Sequence, residues 1–507
     1  MRLTASWNLV RVDDADPDAL SVLRALLTVK DPAAKKSAEY QRGEWDGFHV
    51  YALDDRATFP SGLLGLVVDG LKRKRVNYEL AYSDRVQADS PWLRGLSLMQ
   101  VSNDLFRKVT MRDYQVEAVM RVLGGQRGVV QAPPRAGKTL IAFAVAVQVN
   151  RRSLYVVNRS KLLEQHVKSA ADIGLTLTKM TIPRLLKGQL GQHVIATVQT
   201  LYSALKEHPE EARRYLDQVE VLQGDEIHAL SDSVMWTSVF TACAAPIRVG
   251  YSGTPYQDRT AWDSRDHWLR ACCGDLLYQI DPEYLMLTGH LLRPRVFSVK
   301  APGSHSLFKA TNWHLLYSRG VVQNAPANAL VARIAASAFK GRRRCLVLVS
   351  QHEHGHELLR LLFATHGLSC VFSAGGDSMV RATDTQLGYA TIRLTDAELL
   401  AQFESGGVPV LIGSTVYDQG IDMPFVDTTI LAGGWKSPVV VVQRAYRCLT
   451  PAQNKRTPVI VDLHHGFSIV LGHHSRARQK EIQARVIPGG EVEQVDPDIL
   501  CRWLETN

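Results

Sequence analysis

From about residue 105 to 275, short apolar runs alternate with longer stretches of helical character. The runs GVVQAP, SLYVVN, HVIATV, VEVLQGD and IRVGYSG are largely continuous in their apolar residues rather than strictly alternating. Strands of that kind are buried on both faces, which predicts a parallel sheet covered by helices. A second region of the same pattern follows, with FSVKAP, RCLVLVSQ, LSCVFSA, VPVLIGS, DTTILAG and TPVIVDL, and closes near residue 470. Ahead of both, residues 1–104 hold shorter strands (WNLVRV, FHVYAL), a helix predicted around Asp18–Thr28, and the basic cluster Lys72-Arg73-Lys74-Arg75. The expected organisation is α/β throughout. A small N-terminal domain spans 1–104, a parallel-sheet domain 105–275, a linker 276–297, a second parallel-sheet domain 298–470, and a short basic tail with helical character 471–507.

Composition narrows the class. The 507 residues exceed one ordinary core. Hydrophobic residues at 46% and charged ones at 21% suit a soluble globular chain. No apolar run reaches the roughly 18 residues that span a bilayer, and the N-terminus turns acidic where a signal peptide needs its apolar core. The expectation is a cytoplasmic protein with no membrane partner. The seven cysteines are scattered and form no Cys-x-x-Cys pair, which reads as reduced thiols; adjacent Cys272 and Cys273 read as buried. Lys plus Arg total 59 against 50 Asp plus Glu, a formal charge of +9. That balance favours a polyanionic partner, although many basic proteins bind none.

Two motifs add chemistry. Ala132-Pro133-Pro134-Arg135-Ala136-Gly137-Lys138-Thr139 follows an apolar strand and precedes a helical run. In that setting Gly137 lets the backbone approach phosphates, Lys138 reaches the outer phosphates, and the Thr139 hydroxyl suits Mg²⁺. Further on, Asp225-Glu226-Ile227-His228 ends another apolar strand. Asp225 suits the metal and Glu226 suits a water, which it would orient and deprotonate. His228 would link the phosphate site to the segment after the next strand.

In this order the motifs resemble those of superfamily 2 DExH helicases, over about residues 105–470. The resemblance implies two RecA-like domains with ATP and Mg²⁺ as cofactors, and it assigns roles to further residues. In Met111-Arg112-Asp113-Tyr114-Gln115, Arg112 and Gln115 would recognise adenine. Arg159 and Ser160 (VVNRSKLLEQ), with Thr197, Gln199 and Thr200 (ATVQTL), would grip a nucleic-acid backbone without reading sequence. Ser252 and Thr254 in Tyr251-Ser252-Gly253-Thr254-Pro255 would couple hydrolysis to movement. In VLIGSTVYDQGIDMP, Ser414 and Thr415 would touch nucleic acid, Gly420 would permit a tight turn and Asp422 would lie near the ribose; Gln419 replaces the usual Glu. VVVQRAYRCLTPAQNK supplies Gln443, Arg444 and Arg447, with Arg447 expected to face the γ-phosphate. Tyr446 replaces the usual Gly and Thr450 the last Arg, leaving Lys455 or Arg456 as possible stand-ins. LVLVSQHEHGHELLRLL resembles the fourth motif. Its His352, His354 and His356 do not share a helical face, which argues against a metal site.

The N-terminal region adds Glu44-Trp45-Asp46-Gly47-Phe48 and Phe59-Pro60-Ser61-Gly62-Leu63. These resemble the N-terminal domain of UvsW-type phage helicases, and the motor region is similar to XPB- and RecG-like translocases. The resemblance implies a DNA helicase that remodels forks, junctions and displacement or R-loops and can anneal strands, in a bacterium or phage-infected cell. RNA stays open as the alternative track, as does a non-catalytic binding module on a helicase fold. A monomer is preferred. Core burial is the alternative for Trp45 and Phe48, and Trp45 reads better as a core residue. The basic cluster reads equally as a duplex-phosphate grip or as a solvated helix end.

Overall fold

The computed structural model describes all residues except 32–33, 52–57, 257–263, 375–378, 383–388 and 416–422. The chain forms two compact units, Met1–Ile280 and Asp281–Asn507.

The first unit begins with a small α/β module. Strands β1 (Arg2–Ala5) and β2 (Leu9–Asp13) pair antiparallel, β3 (Thr28–Lys30) pairs with β4 (Phe48–Val50), and β5 (Thr58–Pro60) and β6 (Glu79–Tyr82) complete a sheet ordered β5-β2-β1-β6. The helix Pro17–Leu27 starts where Asp16 accepts the Ala19 N–H, with proline in the first turn. It and the helix Leu64–Lys74 lay Leu23, Leu27, Val67 and Leu71 against Leu3, Val10 and Phe59. Trp45 is not in this core, contrary to expectation, and neither is Phe48. Phe48 is exposed and Trp45 half-buried, its indole N–H donating to the Phe48 carbonyl at 2.8 Å.

The rest of this unit is a wholly parallel sheet of β7 (Arg127–Gln131), β8 (Ser153–Val157), β9 (Thr178–Lys179), β10 (His193–Thr197), β11 (Val221–Asp225), β12 (Ile247–Ser252) and β13 (Leu276–Gln279). Its order is β13-β7-β12-β11-β8-β10-β9. Strands β8, β11 and β12 are buried at every position, as strands covered on both faces are, including the polar Gln223, Asp225, Arg248 and Ser252 of β11 and β12.

The second unit holds β14 (Arg295–Lys300), β15 (Cys345–Leu348), β16 (Val371–Ser373), β17 (Met379–Ala382), β18 (Tyr389–Thr391), β19 (Val410–Gly413), β20 (Thr428–Leu431), β21 (Val459–His464) and β22 (Val492–Val495). They form one sheet ordered β18-β17-β16-β19-β15-β20-β21-β14-β22. It is parallel apart from the antiparallel pairs β16–β17 and β17–β18.

Two expected boundaries change. The stretch 276–297 is not one linker: β13 belongs to the first sheet, the helix Pro282–Leu287 follows, and β14 opens the second sheet. Residues 471–507 are no tail, because β22 pairs with β14 and the helix Pro497–Thr506 buries Leu500, Cys501 and Leu504 in the core. The expected helical character is there in the helix Ile469–Arg485, but its packing was hidden because much of its buried side is polar. Arg478 and Asp462 form a fully buried ion pair at 2.5 Å, beside buried His474 and Ser475.

Among the described residues no helix is long and apolar enough to cross a membrane. All seven cysteines are buried, and burial pushes the Cys272 thiol up to about 11.

Candidate nucleotide and nucleic-acid site

Parallel strands deliver the segments that follow them to one edge of the sheet, the carboxyl edge, where open α/β sheets bind ligands. The phosphate loop follows β7, the DEIH box closes β11, and Tyr251-Ser252-Gly253-Thr254-Pro255 closes β12. These strands are adjacent in the order β7-β12-β11, so the sheet gathers residues far apart in sequence.

Lys138 Nζ donates to Glu226 Oε1 at 2.9 Å, with only 12% and 14% of the two side chains exposed. Burial by itself would lower the Lys138 pKa, but the Glu226 and Asp225 carboxylates outweigh it and hold the ammonium above its ordinary value. Burial likewise works to raise Glu226, and Lys138 and His228 overcome it, keeping the carboxyl well below the usual range. Both groups are therefore charged at neutral pH. Glu226 has a φ of 48°, a left-handed conformation that costs a non-glycine residue about 1–2 kcal/mol, where the chain leaves β11 for the turn Ile227–Asp232. Asp225 Oδ1 accepts the Glu226 N–H at 3.0 Å.

His228 Nδ1 lies 3.3 Å from Glu226 Oε2 and 2.9 Å from Ser252 Oγ, and Ser252 Oγ accepts the Thr254 N–H at 3.1 Å. Of the residues expected to couple hydrolysis to movement, His228 thus touches the DEIH carboxylate directly, and Ser252 and Thr254 follow it in a chain of contacts.

Gly137 has a φ of 81°, and a Cβ there would stand 2.2 Å from Gln115 Nε2. Only glycine fits. Gln115 is buried, with Oε1 accepting the Arg112 N–H at 2.9 Å and Nε2 donating to the Ala136 carbonyl at 3.0 Å. Its amide therefore braces the phosphate loop. The Arg112 guanidinium donates to the Tyr114 hydroxyl at 2.8 Å.

Sequence reasoning missed His166. Its Nδ1 lies 3.4 Å from Thr139 Oγ1 and its Nε2 3.3 Å from Asp225 Oδ2, so one buried ring bridges the two residues suited to Mg²⁺. Tyr155 and Phe143 hold the ring, with centroids at 5.4 and 6.4 Å. Nothing in the string VVNRSKLLEQH marks it, since a histidine on the inner face of an amphipathic helix looks like core.

Farther along the same edge, Arg159 and Ser160 follow β8, while Thr197, Gln199 and Thr200 sit at the end of β10, the strand paired with β8. Gln199 Nε2 donates to the Asn158 carbonyl at 3.2 Å, and the Thr197 and Thr200 hydroxyls are 2.9 Å apart. Arg159, Ser160 and Gln199 are exposed.

In the second unit, Ser414 is buried and Thr415 exposed after β19, while Gly420 and Asp422 lie outside the described residues. Gln443 and Arg444 lie on the buried side of the helix Pro438–Ala445, with Arg447 in the turn that follows. The Arg444 guanidinium sits 3.7 Å from the Trp435 ring centroid. Tyr446, in place of the family's glycine, is a core residue whose hydroxyl donates to the Arg485 carbonyl at 2.9 Å. The stand-ins considered for Thr450 have structural contacts: Lys455 Nζ donates to the Pro424 and Thr450 carbonyls at 2.7 and 2.8 Å, and Arg456 donates to the Gly341 carbonyl. His354 is buried against Asn328 Oδ1 at 3.0 Å, and His352 and His356 meet the Phe372 ring edge-on.

Lys72, Arg73 and Lys74 form the exposed last turn of the helix Leu64–Lys74, capped by Arg75 in a left-handed conformation. Cations there complement the helix dipole, so the cluster has a structural reason of its own while staying open to phosphates.

Residues 108–257 match the family described as type III restriction enzyme, res subunit, and residues 340–450 match the helicase conserved C-terminal domain. The chain belongs to the superfamily 2 helicases. Putative helicase 22 of a Sulfolobus islandicus filamentous virus is 22% identical over 389 residues, covering 71% of this chain but 65% of that protein, just under two thirds of its length. The DNA 3'-5' translocase XPB2 of Sulfurisphaera tokodaii is 24% identical over 363 residues, covering 68% of this helicase and 79% of the relative. The crystal structure of T4 UvsW aligns over 98% of this chain and all of its own, with a TM-score of 0.41 and 16% identity.

Proposed function

We propose that this helicase is an ATP-driven DNA motor that remodels branched DNA: forks, junctions and displacement or R-loops, including strand annealing. The observation that carries the proposal is the shared edge of the first sheet. There the Lys138–Glu226 pair, the His228–Ser252–Thr254 contacts and the Arg159–Gln199 surface follow strands of one rigid layer.

The residues present fit ATP and magnesium. The glycine cradle, the amides opening the helix Lys138–Val149 and the Lys138 ammonium would hold the phosphates, and Thr139 and Asp225 would hold the metal. Bound ATP supplies the phosphoryl group that is transferred to water. Lys138, in turning to the phosphates, releases the ionised Glu226 carboxylate to take a proton from that water. His228 passes the changed position of Glu226 to Ser252 and Thr254. We assign Arg447, with Arg444 and Gln443, to offset charge in the transition state, and Ser414, Thr415 and the Arg159–Thr200 group to the DNA backbone.

DNA as the track is supported by the relative named as a DNA translocase and by the +9 charge. The N-terminal module, with Lys72 to Arg75 exposed, is assigned to the duplex arm. Lys138→Ala should abolish DNA-stimulated ATP hydrolysis while sparing DNA binding; full turnover in that variant would sink the assignment. Across fork, four-way junction, R-loop and RNA duplex, branched DNA should stimulate most. Strongest stimulation by RNA would make it an RNA-directed helicase, and no turnover on any substrate would leave a binding module.

A further inference from the structure

Among the described residues of the second unit, several exposed large apolar side chains outside the motifs come from two neighbouring segments, apart from Tyr284, Leu287 and Ile499 elsewhere. Phe308 (37% exposed), Trp313 (38%), Leu315 (39%) and Ile469 (54%) come from the segment after β14 and from the start of the helix Ile469–Arg485. Contacts tie the two segments together. The Ile469 N–H donates to the Phe308 carbonyl at 3.1 Å, His305 stacks on Phe308 at 5.5 Å and 12°, and Trp313 lies 4.9 Å from the His474 ring. Tyr317, Val321, Val322 and Leu471 form a small core behind them, with Phe467 packed against it, so the rings are held on a firm base.

The stretches of chain that supply the rings carry cations and no acidic residue, while Glu353 from the helix His352–His366 accepts from Gln323 Nε2 at 3.0 Å beside Val322. No aspartate or glutamate stands between Glu283 and Glu353, between Asp427 and Asp462, or between Asp462 and Glu481, the stretches that supply the patch and its neighbours. Lys309, His314, Arg319, Lys436, His473 and Arg476 in the same stretches are exposed. Clustered exposed apolar surface marks a binding site, and the exposed cations of the same segments favour a polyanion. Aromatic faces beside cations are the chemistry that holds unpaired bases, each of which offers a π-face whatever its sequence.

We infer that residues 302–319, with the start of the helix Ile469–Arg485, bind the bases of a short unpaired stretch of DNA. The inference rests on the DNA reading above. The surface follows β14 and β21 at the carboxyl edge of the sheet, the edge that also carries Ser414 and Thr415 after β19. In the order β19-β15-β20-β21-β14 these points are four strand spacings apart, roughly 19 Å. A few nucleotides of extended strand cover that distance, so one strand can be held by its backbone at β19 and by its bases here.

The test uses the full chain and an unpaired oligonucleotide carrying 2-aminopurine, with a blunt duplex for comparison. Phe308→Ala and Trp313→Ala should each weaken binding of the unpaired oligonucleotide about tenfold and remove the stacking change in 2-aminopurine fluorescence, with duplex binding unchanged. Phe308→Tyr, which keeps a ring on the surface, should behave like the parent and controls for folding. Unchanged affinity and fluorescence in both alanine variants would overturn the surface while leaving the DNA reading intact. So would an equal loss on duplex, or a dimer seen by light scattering in the parent and lost in Phe308→Ala. No binding of the parent to any DNA would overturn both.

Discussion

At the scale of single residues, His166 shows what a motif scan cannot see. Lys138, Thr139, Asp225 and Glu226 are legible because phosphate and metal chemistry fix their types at consecutive positions. The partners of His166 are 27 and 59 residues away, and only the folded sheet brings them to one ring. On the proposed assignment of Thr139 and Asp225 to the cation, His166 behind them is a positioning residue. Groups that orient metal ligands typically contribute about 10–100-fold to metal affinity. His166→Leu, which fills the aromatic cage without hydrogen-bonding, should therefore raise the Mg²⁺ concentration that half-saturates binding of a fluorescent ATP analogue by about tenfold. His166→Gln should recover most of the loss. The readout is binding without turnover, and the same Mg²⁺ dependence in all three proteins would show that the ring only packs. The roles given to Asp422 and Gly420 rest on the motif alone, and Tyr446 illustrates the opposite limit: a departure from the family pattern explained only by its buried bond to the Arg485 carbonyl.

At the scale of elements, the parallel strands were readable because strands buried on both faces are apolar at nearly every position. The β17–β18 addition was not, since Met379–Ala382 and Tyr389–Thr391 offer no continuous apolar run. The helices of the second unit also carry a pH dependence. Burial of His354 in the helix His352–His366 lowers it from 6.5 to about 4, and burial of His465 after β21 lowers it to about 3. Between the folded and unfolded values the unfolded chain binds a proton that the folded one refuses, so stability rises with pH across that window. The contribution is complete above about pH 6.5 and is lost as pH falls toward 4, amounting for His354 to on the order of 3 kcal/mol. Calorimetry should show the second unit melting at lower temperature at pH 5 than at pH 7. His354→Gln should reduce that difference, and a parent whose melting is indifferent to pH between 5 and 7 would contradict the assignment.

At the scale of the whole molecule, the question is whether the N-terminal module is a loose appendage or part of the first motor domain. Its composition reads as a separate small domain, and nothing in the sequence reveals its seat. The seat is Arg127 at the start of β7, the strand that carries the phosphate loop. Nη1 donates to the Trp7 carbonyl at 2.6 Å and Ser61 Oγ at 2.7 Å, while Nη2 donates to the Ala271 and Cys272 carbonyls at 3.1 and 3.2 Å. Burial, aided by Arg248, lowers its pKa to about 9, which leaves it charged at neutral pH. Gly62 completes the fit, since a Cβ there would stand 2.2 Å from the Arg270 carbonyl, and Tyr51 packs its ring edge on Trp268 at 4.8 Å. The module and the first sheet therefore move as one body, and Lys72 to Arg75 keep a fixed offset from the phosphate loop. Arg127→Met removes all four hydrogen bonds and leaves buried acceptors unpaired, a loss of about 3 kcal/mol or more. In that variant a protease should cut near residues 98–105 and free the module. Stimulation of ATP hydrolysis by forked DNA should fall, while stimulation by single-stranded DNA persists. If instead fork and single-strand stimulation fall together, the module does not steer the motor toward branches, and Arg127 serves only the stability of the first sheet.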